Sequence, residues 1–220
     1  MTRIAAIIPV GTLEGAKSRL GDSLDAEERR DLVEGLLART VVAALAVDDL
    51  QDVLVVSPDR DVLRRAANLG ARTLRQRSHG LNAGLVEARA DVVAGGADAI
   101  LVLPIDLPFV TETAVWAVIE PIAIGDQGGP GSGPAGSFAD RPMVVLVTDR
   151  HGTGTNALAL RPPGVIHFAF GVGSRGAHRA AADAAGVAYV EVGGPLNIDL
   201  DTPDDLVFVE SIAAEGVRAG

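Results

Sequence analysis

A chain of 220 residues fits one large domain, and its 48% hydrophobic content is enough to build a full core. Only 3% of the residues are aromatic and none is cysteine, which leaves an aliphatic core and excludes disulfides and thiolate metal sites. The net charge of -10 argues against broad nucleic-acid binding, and no apolar run approaches the roughly 20 residues of a membrane span. We therefore expect a soluble cytoplasmic protein without nucleic-acid or membrane partners.

Short apolar runs alternate with helical stripes through the first half of the chain. Asp25 with Glu28 three residues later forms a capping-box pattern, and Pro58 stands at a favoured first helical position. Strand and helix in alternation predict right-handed crossovers and a parallel sheet. The predicted elements are strand Ile4–Val10, a helix after Asp25, strand Val53–Val56, a helix capped by Ser57, strand Ala71–Leu74, helix Ala83–Ala94, strand Ile100–Leu103 and a helix from Thr111 to Pro121.

A glycine- and proline-rich stretch at 125–137 interrupts this pattern, and we interpret it as a flexible surface insertion within one domain spanning 1–220. The fold class predicted is α/β, with a mostly parallel central sheet and helices on both faces. The elements predicted after the insertion are strands Met143–Val147, Asn156–Leu160 and Val165–Phe170, helix Ser174–Ala185, strand Val187–Val192 and a last helix from Pro203.

The loop "VGTLEGAKSRL" follows the first strand and carries Lys17, the only lysine among 19 basic residues, together with Arg19. Loops at the carboxyl ends of central strands are where α/β folds bind ligands, so the pair could clamp a triphosphate. A basic surface loop is the alternative, because the loop matches neither the P-loop nor the GxGxxG pattern.

Asp106 in "LPIDLPFV" follows an apolar strand and lies between two prolines. A carboxylate at such a strand end is a natural ligand for a hard cation such as Mg²⁺. The equally simple alternative is a loop aspartate that accepts hydrogen bonds from nearby backbone amides.

Two glycine-rich stretches, "DRHGTGTNALAL" and "FAFGVGSRGAH", let backbone amides approach a ligand closely. The segment from Gly171 to Ser174 leads into a helix, whose first amides suit a phosphate or carboxylate. A hairpin turn at "HGTGT" and a plain N-cap at Ser174 explain each stretch separately, and Asn82 in "SHGLNAGL" can likewise be an N-cap. His79 and His151 have no metal-ligand spacing and are interpreted as surface residues.

The stretch "LNIDLDTPDDL" holds four aspartates with two different explanations. Asp204 and Asp205 fall in the first turn of the last helix, where carboxylates favour the positive end of the dipole. Asp199 and Asp201 are two residues apart, so on an extended segment they point to the same face and need a cation between them.

The order of "IIPV…AKSRL", "GLNAGL", "LPIDLPFV", "DRHGTGTNAL", "FGVGSRGAH" and "DLDTPDDL" resembles the guanylyltransferases of coenzyme F420 biosynthesis. The resemblance covers nearly the whole chain, and "GTGTNAL" is its most particular motif. It implies a fold of the nucleotide-diphospho-sugar transferase type. It also implies transfer of GMP from GTP to a small phospho-acid such as phosphoenolpyruvate or 2-phospho-L-lactate, with release of pyrophosphate.

The resemblance also implies roles for individual residues, with Lys17, Arg19 and Asp106 as the catalytic set. By family position, Lys17 and Arg19 would hold the GTP phosphates, and Asn82 would approach the nucleoside. Mg²⁺ would be bound by Asp106, Asp199 and Asp201. The phospho-acid would be bound by Thr155, Gly171 and Ser174. The product would pass to the next enzyme of the F420 pathway.

One departure is Gly11, because relatives commonly have a basic residue after "PV". The motifs leave open whether the acceptor is phosphoenolpyruvate, 2-phospho-L-lactate or 3-phosphoglycerate, and whether the chain forms a homodimer. Two alternatives to this activity also stay open. One is a molybdopterin or sugar-phosphate nucleotidyltransferase, and the other is a catalytically silent nucleotide-binding protein.

Overall fold

The computed structural model describes residues 2–12, 20–21, 23–124 and 141–218. The predicted basic residues Lys17 and Arg19 and the predicted insertion at 125–137 lie outside these described residues.

The described residues form one seven-stranded sheet with the strand order β3-β2-β1-β4-β6-β5-β7. Every neighbouring pair is parallel except the pairs that β6 makes with β4 and β5, so the predicted mostly parallel sheet is confirmed. The strands are β1 (Ile4–Pro9), β2 (Leu50–Ser57), β3 (Arg72–Arg75), β4 (Ala99–Val102), β5 (Met143–Thr148), β6 (Thr155–Arg161) and β7 (Ala188–Glu191).

Helices cover both faces of the sheet, as predicted, because the two sides of each central strand are equally apolar. One face packs against α1, α2 and α4, and the other packs against α3 and α5. None of the described helices is long and apolar enough to cross a membrane. The helices are α1 (Ala26–Leu45), α2 (Arg60–Asn68), α3 (Leu81–Ala94), α4 (Glu112–Ala123), α5 (Ser174–Ala185) and α6 (Pro203–Arg218).

Helix starts that depend on a local side-chain pattern lie where the sequence predicts them. Asp25 accepts hydrogen bonds from the amides of Glu27 and Glu28, and the Glu28 carboxylate accepts one from the Asp25 amide, which completes the capping box. Thr111 caps α4 through the amide of Ala114, 3.2 Å from its hydroxyl.

Two predicted helix limits are wrong. Ser57 is the last residue of β2 rather than a cap, and α2 begins later because the Asp59 carboxylate accepts the amide of Asp61. Pro121 lies inside α4 instead of ending it. A proline costs roughly 3 kcal/mol inside a helix, and burial of Ile119 and Ile122 on either side of it favours continuation of α4.

The strand predicted at Val165–Phe170 is also wrong, because this segment pairs with side chains instead of a neighbouring strand. Both edges of β6 are already taken by β4 and β5. The amides of Ala169 and Phe170 therefore donate to His178 and Asn82, and Arg89 donates to the carbonyl of Ile166.

Candidate active site

The candidate site lies at one edge of the sheet, where the carboxyl ends of the parallel strands meet the amino end of the antiparallel β6. Asp106 follows β4 at this edge, and the chain turns from β5 into β6 through residues 149–154. The residues after β7 reach the same edge, because β7 runs parallel to β5.

A bulge at the start of β6 exchanges the faces of the sheet on which Thr155 and Asn156 lie, compared with a regular strand. Val147 pairs with Ala157 but Thr148 pairs with Thr155, so Asn156 is the extra residue. Asn156 consequently lies on the Ala157 face, and its amide donates to the carbonyl of Leu196 at 2.9 Å. Thr155 lies on the opposite face, where its hydroxyl is 3.0 Å from His178 Nδ1.

The turn "DRHGTG" before β6 is held by the Asp149 carboxylate. Its oxygens accept the amide of Thr153 at 2.7 Å and the hydroxyl of Thr153 at 3.1 Å. A Cβ on Gly154 would lie 2.8 Å from Asp149 Oδ2, so the close approach requires glycine. Burial raises the pKa of Asp149, but hydrogen bonds from Gly154 and Thr153 outweigh burial and lower it overall. The predicted hairpin is therefore real, and its geometry presents Thr155.

The segment that carries Gly171 is attached to this turn through the first residues of α5. The amide of Arg175 donates to the carbonyl of Thr153 at 3.2 Å, and the Arg175 guanidinium donates to the carbonyl of Gly152 at 3.0 Å. Ser174 is the first residue of α5 and only 2% exposed. The alternative that Ser174 is a plain N-cap is wrong, because Gly173 holds that position and offers no side-chain cap.

Asn82 lies near the same segment, although 88 residues separate it from Phe170 in sequence. Its side-chain amide donates to the carbonyl of Phe170 at 3.0 Å and accepts the amide of Phe170 at 2.9 Å. The N-cap alternative for Asn82 is wrong, because α3 begins after Gly80 and makes no side-chain cap bond there. Asn82 thus fixes the backbone immediately before Gly171, whose φ of +132° favours glycine.

The metal-binding prediction concerns a second cluster on the other side of β6. The amide of Leu200 donates to the carbonyl of Asp106 at 2.9 Å, which brings the backbone of Asp106 to the Asp199–Asp201 segment. Leu200 is buried whereas Asp199 and Asp201 are partly exposed, which is the alternation predicted for an extended segment.

The electrostatics of this segment would favour a cation. Burial raises the pKa of the Asp199 carboxyl, and the nearby charges of Asp201 and Asp205 raise it further, whereas a hydrogen bond from Asn156 lowers it. Carboxylate oxygens are donors that suit Mg²⁺. Within the described ranges, however, no group of three or more acidic, histidine or cysteine side chains stands ready to hold a metal ion. The donors fit a magnesium site that substrate oxygens would have to complete, and the three aspartates remain a prediction.

Asp205 lies in the first turn of α6, as the sequence predicts, but it also forms hydrogen bonds and an ion pair beyond that helix. Its Oδ2 accepts the amides of Asp201 and Thr202, at 3.0 and 2.7 Å, while its Oδ1 forms an ion pair with Arg150 Nη2 at 2.7 Å. Burial raises the pKa of Asp205, but the hydrogen bonds from Thr202 and Asp201 and the charge of Arg150 lower it overall. Asp205 therefore connects the start of α6, the backbone of Asp201 and the turn after β5.

Gly11 has open space around it. A Cβ built at this position meets no atom of the described residues within 4 Å. A Cβ would therefore fit among the described residues, so a clash with them does not explain the glycine.

The fold thus brings Thr155, Gly171 and Ser174 to one face of β6, with Asn82 behind them, and Asp106, Asp199 and Asp201 to the other. The roles assigned to these residues remain predictions. Sequence reasoning missed two residues of the site, namely Asn156 and His178. The available signal was position, since Asn156 adjoins Thr155 and His178 follows Ser174 by one helical turn.

Comparison with solved structures identifies the fold. A putative nucleotide-diphospho-sugar transferase from Desulfovibrio desulfuricans superimposes with a TM-score of 0.71 at 15% identity, over 95% of this chain and 87% of that chain. A nucleotidyl transferase from Methanothermobacter gives a TM-score of 0.61 at 16% identity over the whole of both chains. The fold is that of the nucleotidyltransferases.

Residues 4–126 match the family model described as guanylyl transferase CofC like. A phosphoenolpyruvate guanylyltransferase from Rubrobacter xylanophilus is 43% identical over 98% of this chain and 96% of its own length. Another, from Sphaerobacter thermophilus, is 41% identical over 100% of this chain and 98% of its own. The chain belongs to the CofC-like guanylyltransferase family and is an enzyme of that class.

Replacing Asp205 by Asn should lower the free energy of unfolding by about 1–3 kcal/mol, because a buried acceptor loses its charge opposite Arg150. The exposed neighbour provides the control, since Asp204→Asn should cost clearly less. Chemical denaturation of the two variants measures this difference. Equal losses would mean that Asp205 contributes only as a first-turn carboxylate.

Stability should also depend on pH through His178. Burial lowers the pKa of this imidazole from its ordinary 6.5 to about 4, so between these values the unfolded chain binds a proton that the folded chain does not. This contribution to stability is complete above pH 6.5 and is lost as the pH falls towards 4. Replacing His178 by Asn should reduce the slope of unfolding free energy against pH in this window by up to about 1.4 kcal/mol per pH unit. Equal slopes in denaturation series of the two proteins would contradict this burial effect.

Proposed function

We propose that the protein transfers GMP from GTP to the phosphate of phosphoenolpyruvate and releases pyrophosphate. The relatives from Rubrobacter and Sphaerobacter carry this activity in their names, and they align over essentially the whole chain. 2-Phospho-L-lactate is the second acceptor of the same chemical class, and the reaction would belong to coenzyme F420 biosynthesis.

The observation that carries this proposal is that two consecutive residues, Thr155 and Asn156, contact the two halves of the site. Thr155 contacts the side that holds Gly171 and Ser174, where the phospho-acid would bind. The Asn156 side chain forms a hydrogen bond with the Asp199 carboxylate, where the metal and the nucleotide phosphates would bind. A transfer reaction needs its two substrates fixed relative to each other, and a single bulged strand end provides that constraint.

The chemistry needs no general base from the protein. The acceptor phosphate has a second pKa near about 6, so at neutral pH it is already largely a dianion. One of its oxygens forms a bond to the α-phosphorus of GTP, the bond from that phosphorus to the β-phosphate oxygen breaks, and pyrophosphate leaves. The difficulty is repulsion between two anions, which positioning and neutralisation of charge reduce.

Asp106, Asp199 and Asp201 are the residues that would hold Mg²⁺. When bound, Mg²⁺ would supply charge neutralisation at the phosphate oxygens. The raised pKa of Asp199 supports this assignment, because burial and, to a smaller extent, the charges of Asp201 and Asp205 disfavour its anionic form, which a bound cation would stabilise. Asn156 would keep the Asp199 carboxylate oriented, and the Leu200 amide would keep Asp106 beside it.

Lys17 and Arg19 would bind the GTP phosphates and stabilise the departing pyrophosphate, and Asn82 would lie near the nucleoside. The proposal also includes that the chain forms a homodimer and that its product passes to the next enzyme of the F420 pathway. Relatives commonly have a basic residue at the position of Gly11, and the open space there favours introducing one by substitution as a further ligand for phosphate.

Pyrophosphate release with GTP, Mg²⁺ and each acid in turn should be fastest with phosphoenolpyruvate, because both compared relatives are named for it. Parallel reactions contain 2-phospho-L-lactate or 3-phosphoglycerate, and a reaction without acceptor is the blank. GTP binding without pyrophosphate release from any acid would instead identify a silent nucleotide-binding protein. Turnover of a sugar phosphate alone would favour the other nucleotidyltransferase class.

Asp106→Asn and Asp201→Asn should each reduce pyrophosphate release at least roughly 100-fold, because each removes a charged ligand from the proposed metal site. Thermal unfolding should remain cooperative in both variants, which separates loss of chemistry from loss of fold. Asp204→Asn is the matched control, since the same change is made on an exposed carboxylate a few residues away. Near-normal turnover in the first two variants would overturn the metal assignment.

A further inference from the structure

We propose that His178 is a positioning residue that fixes the Thr155 hydroxyl as a hydrogen-bond donor towards the anionic acceptor. The inference rests on the proposed function and deepens it, because it identifies what makes Thr155 selective for a phosphate or carboxylate oxygen. His178 is 0% exposed, so it does not touch the substrate itself.

The backbone determines which ring nitrogen of His178 carries the proton. The amide of Ala169 donates to His178 Nε2 at 3.0 Å. A backbone amide can only donate, so Nε2 must be the unprotonated acceptor and the proton of the neutral ring resides on Nδ1. Burial keeps the ring neutral at physiological pH by lowering its pKa to about 4.

The protonated Nδ1 then determines the role of the hydroxyl. Nδ1 lies 3.0 Å from Thr155 Oγ1 and donates to it. A hydroxyl that accepts this bond still has its own proton to donate, and among the described residues no acceptor for that proton is found. Thr155 is 9% exposed, so its proton is available only to a group that enters the site.

The surroundings of His178 hold it in this orientation. The Phe170 ring and the imidazole pack edge to face with the ring centres 5.1 Å apart, and the backbone of Phe170 is fixed by Asn82. His178 lies one turn after Ser174 on the same face of α5, so the hydroxyl it orients adjoins the first turn of that helix. An oxygen of the phospho-acid could thus receive the Thr155 proton where the helix amides begin.

Four variants separate this role from a merely structural one. Thr155→Val removes the hydroxyl at constant volume, and Thr155→Ser retains it. His178→Gln keeps an acceptor for the Ala169 amide but loses the donor to Thr155, whereas His178→Asn keeps a donor at the Nδ1 position and loses the acceptor. Steady-state pyrophosphate release gives KM for phosphoenolpyruvate and for GTP, and thermal unfolding gives stability.

Thr155→Val and His178→Gln should each raise KM for phosphoenolpyruvate at least tenfold, with KM for GTP changed less than about twofold. Thr155→Ser and His178→Asn should raise the acceptor KM by a smaller factor. The double variant H178Q/T155V should resemble T155V alone, because the histidine would act only through the hydroxyl. Multiplicative effects, or equal changes in both KM values, would overturn the proposal.

A readout independent of activity is the protonation of the imidazole. Two-dimensional NMR of the nitrogen-labelled wild-type protein should show His178 neutral and protonated on Nδ1 throughout the range of about pH 6–8. Protonation on Nε2 would overturn the proposal even if His178→Gln failed to fold. A wild-type protein that releases no pyrophosphate with any acid would instead contradict the proposed function, so the two failures are distinguishable.

Discussion

The bulge at the amino end of β6 is the constraint on which the site depends. A regular strand would place Thr155 on the same face as Ala157, because side chains alternate with a period of two. The extra residue Asn156 shifts that alternation by one, so Thr155 faces His178 and Asn156 faces Leu196. Both halves of the proposed site are therefore built on two adjacent residues, and the pairing of Thr155 with Thr148 attaches that strand end to β5.

The loops around the bulge are fixed mainly by side chains that bond to distant backbone groups. Asn82 holds Phe170, His178 holds Ala169, Arg175 holds Gly152 and Asp205 holds Asp201. Each bond satisfies a backbone group that has no partner in a helix or strand. Irregular segments gain a defined shape in this way, which the proposed site for a nucleotide and a small phospho-acid would require.

The charge distribution bears on how an acidic protein would bind the proposed anionic substrates. The chain carries a net charge of -10, and Arg150 is paired with Asp205 rather than open to a ligand. On the face that holds Thr155, the guanidinium of Arg175 is paired with Glu191, and the groups proposed to meet the anion are the Thr155 hydroxyl and the first amides of α5. Neutralisation of substrate charge would be left to the proposed Mg²⁺ and to the predicted Lys17 and Arg19. The proposed neutral donors and the proposed metal ligands would thus lie in separate clusters, one around Thr155 and the other around Asp199, on opposite sides of β6.

Most of the strands and helices could be predicted from the sequence because their signals are local. The capping box at Asp25, the cap at Thr111 and the apolar run of β1 each involve residues within a few positions of one another. The errors have tertiary causes. Pro121 lies inside α4 between buried neighbours, and the segment 165–170 cannot pair with the preceding strand because both sides of β6 are taken by β4 and β5.

In the site, too, some features follow from local sequence and others from tertiary contacts. By itself, the sequence determined the motifs and their order along the chain, since residue type and spacing are local properties. Only the tertiary structure decided that Leu200 bonds to Asp106, that Asn82 bonds to Phe170, and that His178 rather than solvent adjoins Thr155. These contacts join residues far apart along the chain, and no local pattern encodes them, because they arise from strand order and from one extra residue in β6.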